Sequence, residues 1–168
     1  MSEETGSLGT RTRRRGVFWL TGQWVWMIAA ALVPPLCASR SAPFPAAALA
    51  ALSASWGGCL GLAGVAALGD NRTGLLEPKP KAPLVTTGAY RIVRHPLYAS
   101  LMFACGGWAL FWWNLPGAGA WAGLCLWLWA KARAEERLLR ERFPEYAAYA
   151  ARTGAFIPRI RIFRRRVG

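Results

Sequence analysis

The chain has 168 residues, of which 54% are hydrophobic, and it carries a net charge of +13. A soluble domain rarely combines these two features, and here apolar and basic residues are segregated along the sequence as in membrane proteins. The basic residues lie where membrane topology alone would place them, which argues against a nucleic-acid-binding protein. We therefore predict an all-α integral membrane protein.

Four apolar runs predict four membrane-spanning helices. Runs 17–34 and 45–69 contain no charged residue, and they approach or exceed the roughly 20 residues that a spanning helix requires. Runs 97–113 and 117–130 are shorter and are separated by "NLP", Asn114 to Pro116, which predicts a tight helical hairpin. With their flanks, the predicted helices cover about 17–36, 45–69, 97–113 and 117–143.

The distribution of Lys and Arg predicts the orientation of these helices. Basic residues are concentrated in the N-terminal arm, in the long connection 70–96 and in the tail, whereas the first connection has only Arg40 and the hairpin turn has none. By the positive-inside rule, both termini and the long connection lie in the cytoplasm. We predict the cytoplasmic membrane of a bacterium as the location, and the lipid bilayer as a partner.

We predict that residues 1–16 form a disordered basic arm and that residues 17–168 form a single membrane domain, with 144–168 as a cytosolic segment. The arginines 13–15 also suggest a signal peptide or a twin-arginine export signal. Because three more apolar runs follow, we expect the first run to be a retained anchor.

Three further sequence patterns each lead to a prediction. Gly57 and Gly61 have the spacing that lets two helices approach closely in a membrane. The four cysteines lack Cys-x-x-Cys spacing, so we predict neither a structural disulfide nor a metal site. The loop 70–87 contains three prolines and a glycine, and its length predicts a lid or pocket wall.

Two clusters of polar side chains need an explanation, one before the third apolar run and one after the fourth. A hairpin of the last two runs would bring both clusters to its cytoplasmic end. Together they offer cations for a carboxylate, carboxylates for a cation or hydroxyls, and aromatic faces for a ring or a sulfonium. S-adenosylmethionine carries these complementary groups, and no Gly-x-Gly-x-x-Gly motif supports a Rossmann-type site. The clusters comprise Tyr90, Arg91, Arg94, His95, Tyr98, Arg133, Glu135, Glu136, Arg137, Tyr146 and Tyr149.

Each member of these clusters also has a plain structural explanation. Arg91 and Arg94 could serve topology alone, His95 could be a structural hydrogen-bonding residue, and the tyrosines could form an interfacial belt. Glu135 and Glu136 could pair with arginines on a solvated helix face. The joint occurrence of all of them in this order favours a ligand site.

The segments "LVTTGAYRIVRHPLY" and "RAEERLLRERFPEYAAYAARTGAFIP" resemble the isoprenylcysteine carboxyl methyltransferase family. More broadly, the chain is similar to membrane-embedded methyltransferases that include phospholipid N-methyltransferases, over about residues 68–158. The resemblance implies a cofactor pocket for S-adenosylmethionine capped by the cytosolic helical extension. The implied cofactor-binding residues are Gly88, Tyr90, His95, Pro96, Tyr98, Glu135, Glu136 and Tyr146, and the implied catalytic residues are Arg133, Arg94 and Glu136.

The chain departs from the family pattern at Ser100, where relatives commonly have Gly, and at Phe143-Pro144, where they commonly have Phe-Gly. It is also shorter than the eukaryotic enzymes. The resemblance implies methyl transfer to a lipophilic acceptor, first of all carboxyl O-methylation of an isoprenylcysteine-like substrate. The alternatives are a phospholipid or amine N-methyltransferase, a small-thiol S-methyltransferase, a nicotinamide-dependent reductase and a non-catalytic membrane protein.

Overall fold

The computed structural model describes residues 2–38, 42–69 and 83–159. Within these ranges every regular element is a helix, so the predicted all-α class is confirmed. The predicted loop 70–87 lies outside the described residues except for its last five positions. The helices are α1 (Ser2–Leu36), α2 (Phe44–Leu68), α3 (Ala89–Ile92), α4 (Pro96–Trp112), α5 (Leu115–Arg142) and α6 (Tyr146–Arg152).

Prolines and one asparagine determine where the long helices begin. α2, α4 and α5 each have a proline in their first two positions, where its missing N–H leaves no hydrogen bond unmade. Asn114 caps α5 by accepting a hydrogen bond from the Gly117 N–H at 2.8 Å. Trp113 ends α4 in the left-handed conformation, with φ of 49°. The predicted tight hairpin between the third and fourth long helices is therefore present.

α1 begins earlier than the sequence analysis expected. It starts at Ser2 and so includes the arm that was assigned to disorder. The physical reason is that no proline, the strongest helix breaker, occurs in the chain before Pro34. The helix therefore continues unbroken from the arm into the first apolar run.

Within the described parts of the chain, two helices are long and apolar enough to cross a membrane, Arg14–Leu36 and Phe44–Leu68. Their apolar windows are only 11% and 22% buried, unlike the core helix of a soluble protein. α4 is shorter, with 17 residues, and the second half of α5 is charged. Large apolar side chains are exposed on all four long helices, as lipid contact would require; they include Trp24, Ile28, Leu52, Leu62, Trp108, Phe111, Leu126 and Trp129.

α2 packs closely along α4 because both helices present small residues at their contact. A Cβ atom on Gly57 would lie 2.7 Å from backbone atoms of Ser100 and Ala104, and one on Gly61 would lie 3.0 Å from the Ser100 hydroxyl. The predicted packing role of Gly57 and Gly61 is thus seen in the structure. Ser100 itself lies within this close contact, so the departure from the family pattern does not separate the helices here.

α1 and α5 are held together by a reciprocal exchange of tryptophans and glycines. The Trp26 ring covers Gly123, and the Trp127 ring covers Gly22, so closely that a Cβ on either glycine would overlap the ring. The Trp127 indole also donates a hydrogen bond to the Trp19 carbonyl at 3.2 Å. These pairs show that α1 and α5 are antiparallel.

The long helices alternate in direction, and this brings the polar segments to one end of the bundle. α4 contacts α1, α2 and α5 and is antiparallel to both α2 and α5, as the contacts Gly64–Pro96 and Trp121–Met102 show. The N-terminal ends of α1 and α4 therefore lie at the same end as the C-terminal ends of α2 and α5. α3, α6 and residues 153–159 gather there as well.

Candidate active site

The centre of this polar end is a buried carboxylate that links the two predicted clusters. Glu136 Oε1 accepts hydrogen bonds from Arg94 Nη2 at 2.8 Å and Nε at 3.0 Å, and it lies 3.1 Å from His95 Nε2. Glu136 Oε2 accepts from Arg140 at 3.3 Å. The Glu136 side chain is 2% exposed. The predicted convergence of the histidine and the glutamates therefore exists in the fold.

Charge and hydrogen bonding determine the protonation of this carboxylate. Burial alone would raise the pKa of Glu136, but hydrogen bonds from His95 and Arg94 and the Arg94 charge lower it to about 2. Glu136 is thus ionised near neutral pH and only accepts hydrogen bonds. It follows that His95 Nε2 carries the proton that it shares with Glu136.

Arg94 also fixes the C-terminal segment over the site. Its Nη1 donates to the carbonyls of Ala150, at 3.1 Å, and Thr153. The backbone continues this connection, since Arg94 N donates to the Gly154 carbonyl at 2.8 Å and His95 N to the Ala155 carbonyl at 3.0 Å. The Arg94 guanidinium, predicted to bind a substrate or cofactor carboxylate, is here engaged with protein acceptors.

Glu135 differs from its neighbour both in its partners and in the direction of its pKa shift. Its Oε2 is buried and has no hydrogen-bond partner among the described residues; His95 Nδ1 lies 3.7 Å away. Burial and the adjacent Glu136 carboxylate raise the pKa of Glu135 above its ordinary value, although the neighbouring His95, Tyr98 and Lys131 side chains act against this. Glu135 therefore has capacity to accept a further hydrogen bond or to pair with a cation.

Aromatic side chains surround the two glutamates. His95 stacks on Tyr98, with ring centroids 5.5 Å apart and an interplanar angle of 7°. The Tyr149 hydroxyl donates to the Tyr90 carbonyl at 2.6 Å, which ties α6 to α3. Tyr146 is 1% exposed, and its hydroxyl has no hydrogen-bond partner among the described residues. Burial raises the pKa of the Tyr90 and Tyr146 hydroxyls, so both stay neutral donors.

These groups face a cavity of about 130 Å³ between α3, α4, α5 and α6. Its walls are mostly apolar, and its lining includes Glu135 and Tyr146, whose Oε2 atom and hydroxyl group make no hydrogen bond among the described residues. Residues 83–85, from the end of the long loop, form one wall. The lining consists of Leu68, Pro83, Leu84, Val85, Tyr90, Arg94, His95, Leu97, Tyr98, Glu135, Leu139, Phe143, Tyr146 and Tyr149.

Four of the predicted site residues do not line this cavity. Glu136 lies behind it, paired with Arg94 and His95. Pro96 packs against Gly64 at the start of α4, and Gly88 precedes α3 with φ of 59°, a conformation that favours glycine. Arg133 is exposed, and its guanidinium lies over the Trp129 ring, 5.4 Å from the centroid. The catalytic role assigned to Arg133 stays a prediction.

Lys131 and Gln23, which were not predicted as site residues, form a polar pair beside the site. Lys131 is 2% exposed, and its Nζ donates to Gln23 Oε1 at 2.6 Å. The ammonium also lies over the Tyr98 ring, 5.3 Å from the centroid. The available signal was the spacing of four residues between Lys131 and Glu135, which places both on one face of α5.

A sequence model of phospholipid methyltransferases matches residues 46–146, more than half of the chain. The chain belongs to the phospholipid methyltransferase family. The part that matches the family contains α2 to α5, with His95 and both glutamates, and ends at the first residue of α6. α1 lies outside it.

Two curated relatives are similar to part of the chain. It is 39% identical to the cobalt-zinc-cadmium resistance protein CzcN of Cupriavidus metallidurans over 82 residues, which are 48% of this chain and 38% of that protein. It is 40% identical to the nickel-cobalt-cadmium resistance protein NccN of Alcaligenes xylosoxydans xylosoxydans over 90 residues, 53% of this chain and 42% of that protein. The chain thus spans about two fifths of the length of these relatives. No solved structure matches the chain significantly.

Proposed function

We propose that this protein is an integral membrane methyltransferase that uses S-adenosylmethionine and methylates a lipophilic acceptor. The observation that carries the proposal is the cavity in which an unpaired buried carboxylate oxygen of Glu135 and the unpaired Tyr146 hydroxyl face one apolar space. Membership of the phospholipid methyltransferase family supports the reaction class. The two relatives are named for metal resistance, and their names specify no reaction.

The donor set fits S-adenosylmethionine. Glu135 Oε2 can accept a hydrogen bond from an ammonium or a ribose hydroxyl, and the Tyr146 hydroxyl can donate to a ring nitrogen or a carboxylate. The stacked His95 and Tyr98 rings present aromatic surface to a cation. An orphaned buried polar group is costly, so a ligand that satisfies both groups would bind favourably.

When bound, S-adenosylmethionine supplies a methyl group attached to a positively charged sulfur. The residues of the chain would hold the donor in line with the acceptor and exclude water. The apolar walls, Leu97, Leu139 and Phe143 among them, keep the local dielectric constant low, which favours a step in which opposite charges neutralise each other. The acceptor, being lipophilic, would enter between helices from the bilayer.

For the acceptor we propose first a carboxyl group on an isoprenylcysteine-like molecule, as the sequence resemblance implies. A carboxylate needs no general base, and Arg133 or Arg94 would hold it. Because Arg94 is engaged by Glu136 and the C-terminal segment, binding a carboxylate there requires one of these contacts to be shared.

A second candidate is methylation of an amine, such as a phospholipid headgroup, or of a thiol. The observation that favours it is the raised pKa of Glu135 together with its unpaired oxygen. A carboxylate with these properties is a suitable general base for the proton that an amine or thiol must lose.

The test is methyl transfer by the purified protein from isotopically labelled S-adenosylmethionine to three lipophilic acceptors that differ only in a terminal carboxylate, amine or thiol. We expect label in one organic-soluble product. Transfer to the carboxylate alone supports the first candidate, and transfer to the amine or thiol supports the second. Absence of transfer to all three acceptors, in detergent and in lipid vesicles, would overturn the proposed function.

A further inference from the structure

A buried cation lies one helical turn closer to the apolar part of the bundle than Glu135. The Lys131 ammonium donates to Gln23 of α1 at 2.6 Å and lies over the Tyr98 ring of α4, 5.3 Å from the centroid. It therefore occupies the point where α1, α4 and α5 meet. Lys131 is 2% exposed, and a buried ammonium is energetically costly unless it is paired or hydrogen-bonded.

Two connections lead from this ammonium to the cavity. Lys131 precedes Glu135 by four residues on α5, a spacing that places Cβ atoms about 5–6 Å apart. Tyr98, whose ring the ammonium covers, also influences Glu135, since hydrogen bonding by its hydroxyl group acts to lower the pKa of that carboxyl group. The positive charge of Lys131 lowers the pKa of Glu135, against the effect of burial.

We propose that Lys131 is a positioning residue that keeps Glu135 ionised and aimed at the cavity, and that Gln23 holds the Lys131 ammonium in place for this task. The inference rests on the proposed function, in which Glu135 receives the cofactor. It also gives α1 a part in the site, although α1 lies outside the residues that match the family.

Other charged or titratable groups face Glu135 from each neighbouring element, and they also influence its protonation. His95 Nδ1 lies 3.7 Å from Glu135 Oε2, and Tyr90 of α3 and Tyr98 of α4 are neutral neighbours. Glu136 adjoins Glu135 on α5, and Arg94 and Arg140 compensate its charge. Among the residues whose side chains the structure describes, Lys131 thus adds a cation on the side of the site that faces α1.

The direct test is an infrared titration of the protonated carboxyl group of Glu135 in the protein without cofactor, with E135Q used to assign its absorption. In K131M, which keeps the length of the side chain and removes its charge, Glu135 should protonate about one pH unit higher than in the wild type. K131R should titrate like the wild type. R137M removes an exposed cation from the same helix and should leave the midpoint unchanged. An unchanged midpoint in K131M would overturn the proposal.

Binding provides a second readout that a merely structural role would not produce. The affinity of K131M for S-adenosylhomocysteine should fall at low pH and recover at high pH, as Glu135 becomes ionised again. A loss that is equal at every pH would contradict the positioning role. If the wild type does not bind S-adenosylhomocysteine at all, the proposed function fails, while the infrared midpoint still decides the role of Lys131.

A variant outside α5 keeps the test decisive if K131M does not fold. Q23L leaves both charges in place and removes the oxygen that accepts from Lys131 at 2.6 Å. We expect a smaller upward shift of the Glu135 midpoint in Q23L. A midpoint identical to that of the wild type would count against the proposal.

Discussion

Glu135 and Glu136 are adjacent in the sequence, yet they have separate roles in the structure. Glu136 is surrounded by His95, Arg94 and Arg140 and has no unpaired oxygen. Glu135 faces the cavity with one oxygen unpaired among the described residues. At the scale of single residues, we propose that Glu136 supports the structure of the site and that Glu135 binds the ligand.

This division predicts opposite effects of two matched substitutions. E136Q should destabilise the fold by about 3 kcal/mol, because it leaves the half-buried Arg94 guanidinium without its charged partner. E135Q should leave the unfolding free energy close to that of the wild type, since it removes a charge that burial disfavours. Chemical unfolding in detergent, followed by tryptophan fluorescence, measures both. Equal losses in the two variants would contradict the division.

The protonation of Glu136 also predicts a dependence of stability on pH. Its folded-state pKa of about 2 lies below the ordinary value of 4.5. Its stabilising contribution is therefore complete above pH 4.5 and is lost as the pH falls toward 2. The difference in unfolding free energy between the wild type and E136Q should shrink over this window. A difference that stays constant would show that the ion pair does not act through ionised Glu136.

At the scale of elements, the approach of α2 to α4 depends on glycines that have no space for a side chain. A methyl group on Gly57 would lie 2.7 Å from backbone atoms of α4, whereas one on its neighbour Gly58 would have nothing within 4 Å. The close contact aligns the end of α2 with the start of α4, where His95 and Pro96 lie. The geometry of the site therefore depends on small residues that are distant from it.

Alanine substitutions of Gly57 and Gly58 form a matched pair that tests whether the approach of α2 to α4 depends on glycine. G57A should destabilise the protein by about 1–3 kcal/mol, because the methyl group would press on the backbone of Ser100 and Ala104. G58A should be neutral or stabilising by up to about 1 kcal/mol, as Ala is the better helix former. Thermal unfolding in detergent compares them. A tolerated G57A would show that the helices can separate without cost.

The positions of the helices were easier to predict from the sequence than the interaction partners of the residues in the site. The prolines, Asn114 and the apolar runs determine the starts of α2, α4 and α5 locally, so these were predicted to within a few residues. The separate roles of Glu135 and Glu136 depend on the rotation of α5 against α4, which no local pattern specifies. Lys131 resembled one more topology-setting charge, because its burial arises only when α1 packs against α5.

At the scale of the whole molecule, the alternating helix directions place the site and the charged second half of α5 at one end of the bundle. The other end carries the hairpin turn at Asn114, and the outward side chains between the two ends are apolar. We propose that the end with the site faces the cytoplasm, in accordance with the positive-inside rule.

Cysteine labelling tests this orientation. In a variant without the four native cysteines, A118C should react with a membrane-impermeant thiol reagent in intact cells, because Ala118 is exposed beside the hairpin turn. A147C, exposed on α6 at the other end, should react only after the cells are permeabilised. Labelling of A147C in intact cells, with A118C protected, would reverse the orientation.

The most direct test of the whole account is calorimetric titration of S-adenosylhomocysteine into the detergent-solubilised wild type, E135Q and E141Q. Glu141 lies on the same helix and is exposed, so E141Q controls for the loss of one charge. The account predicts that the wild type and E141Q bind alike and that E135Q binds about tenfold to a hundredfold more weakly, as expected for a lost hydrogen bond to a charged group. Equal affinity of E135Q and the wild type would contradict it.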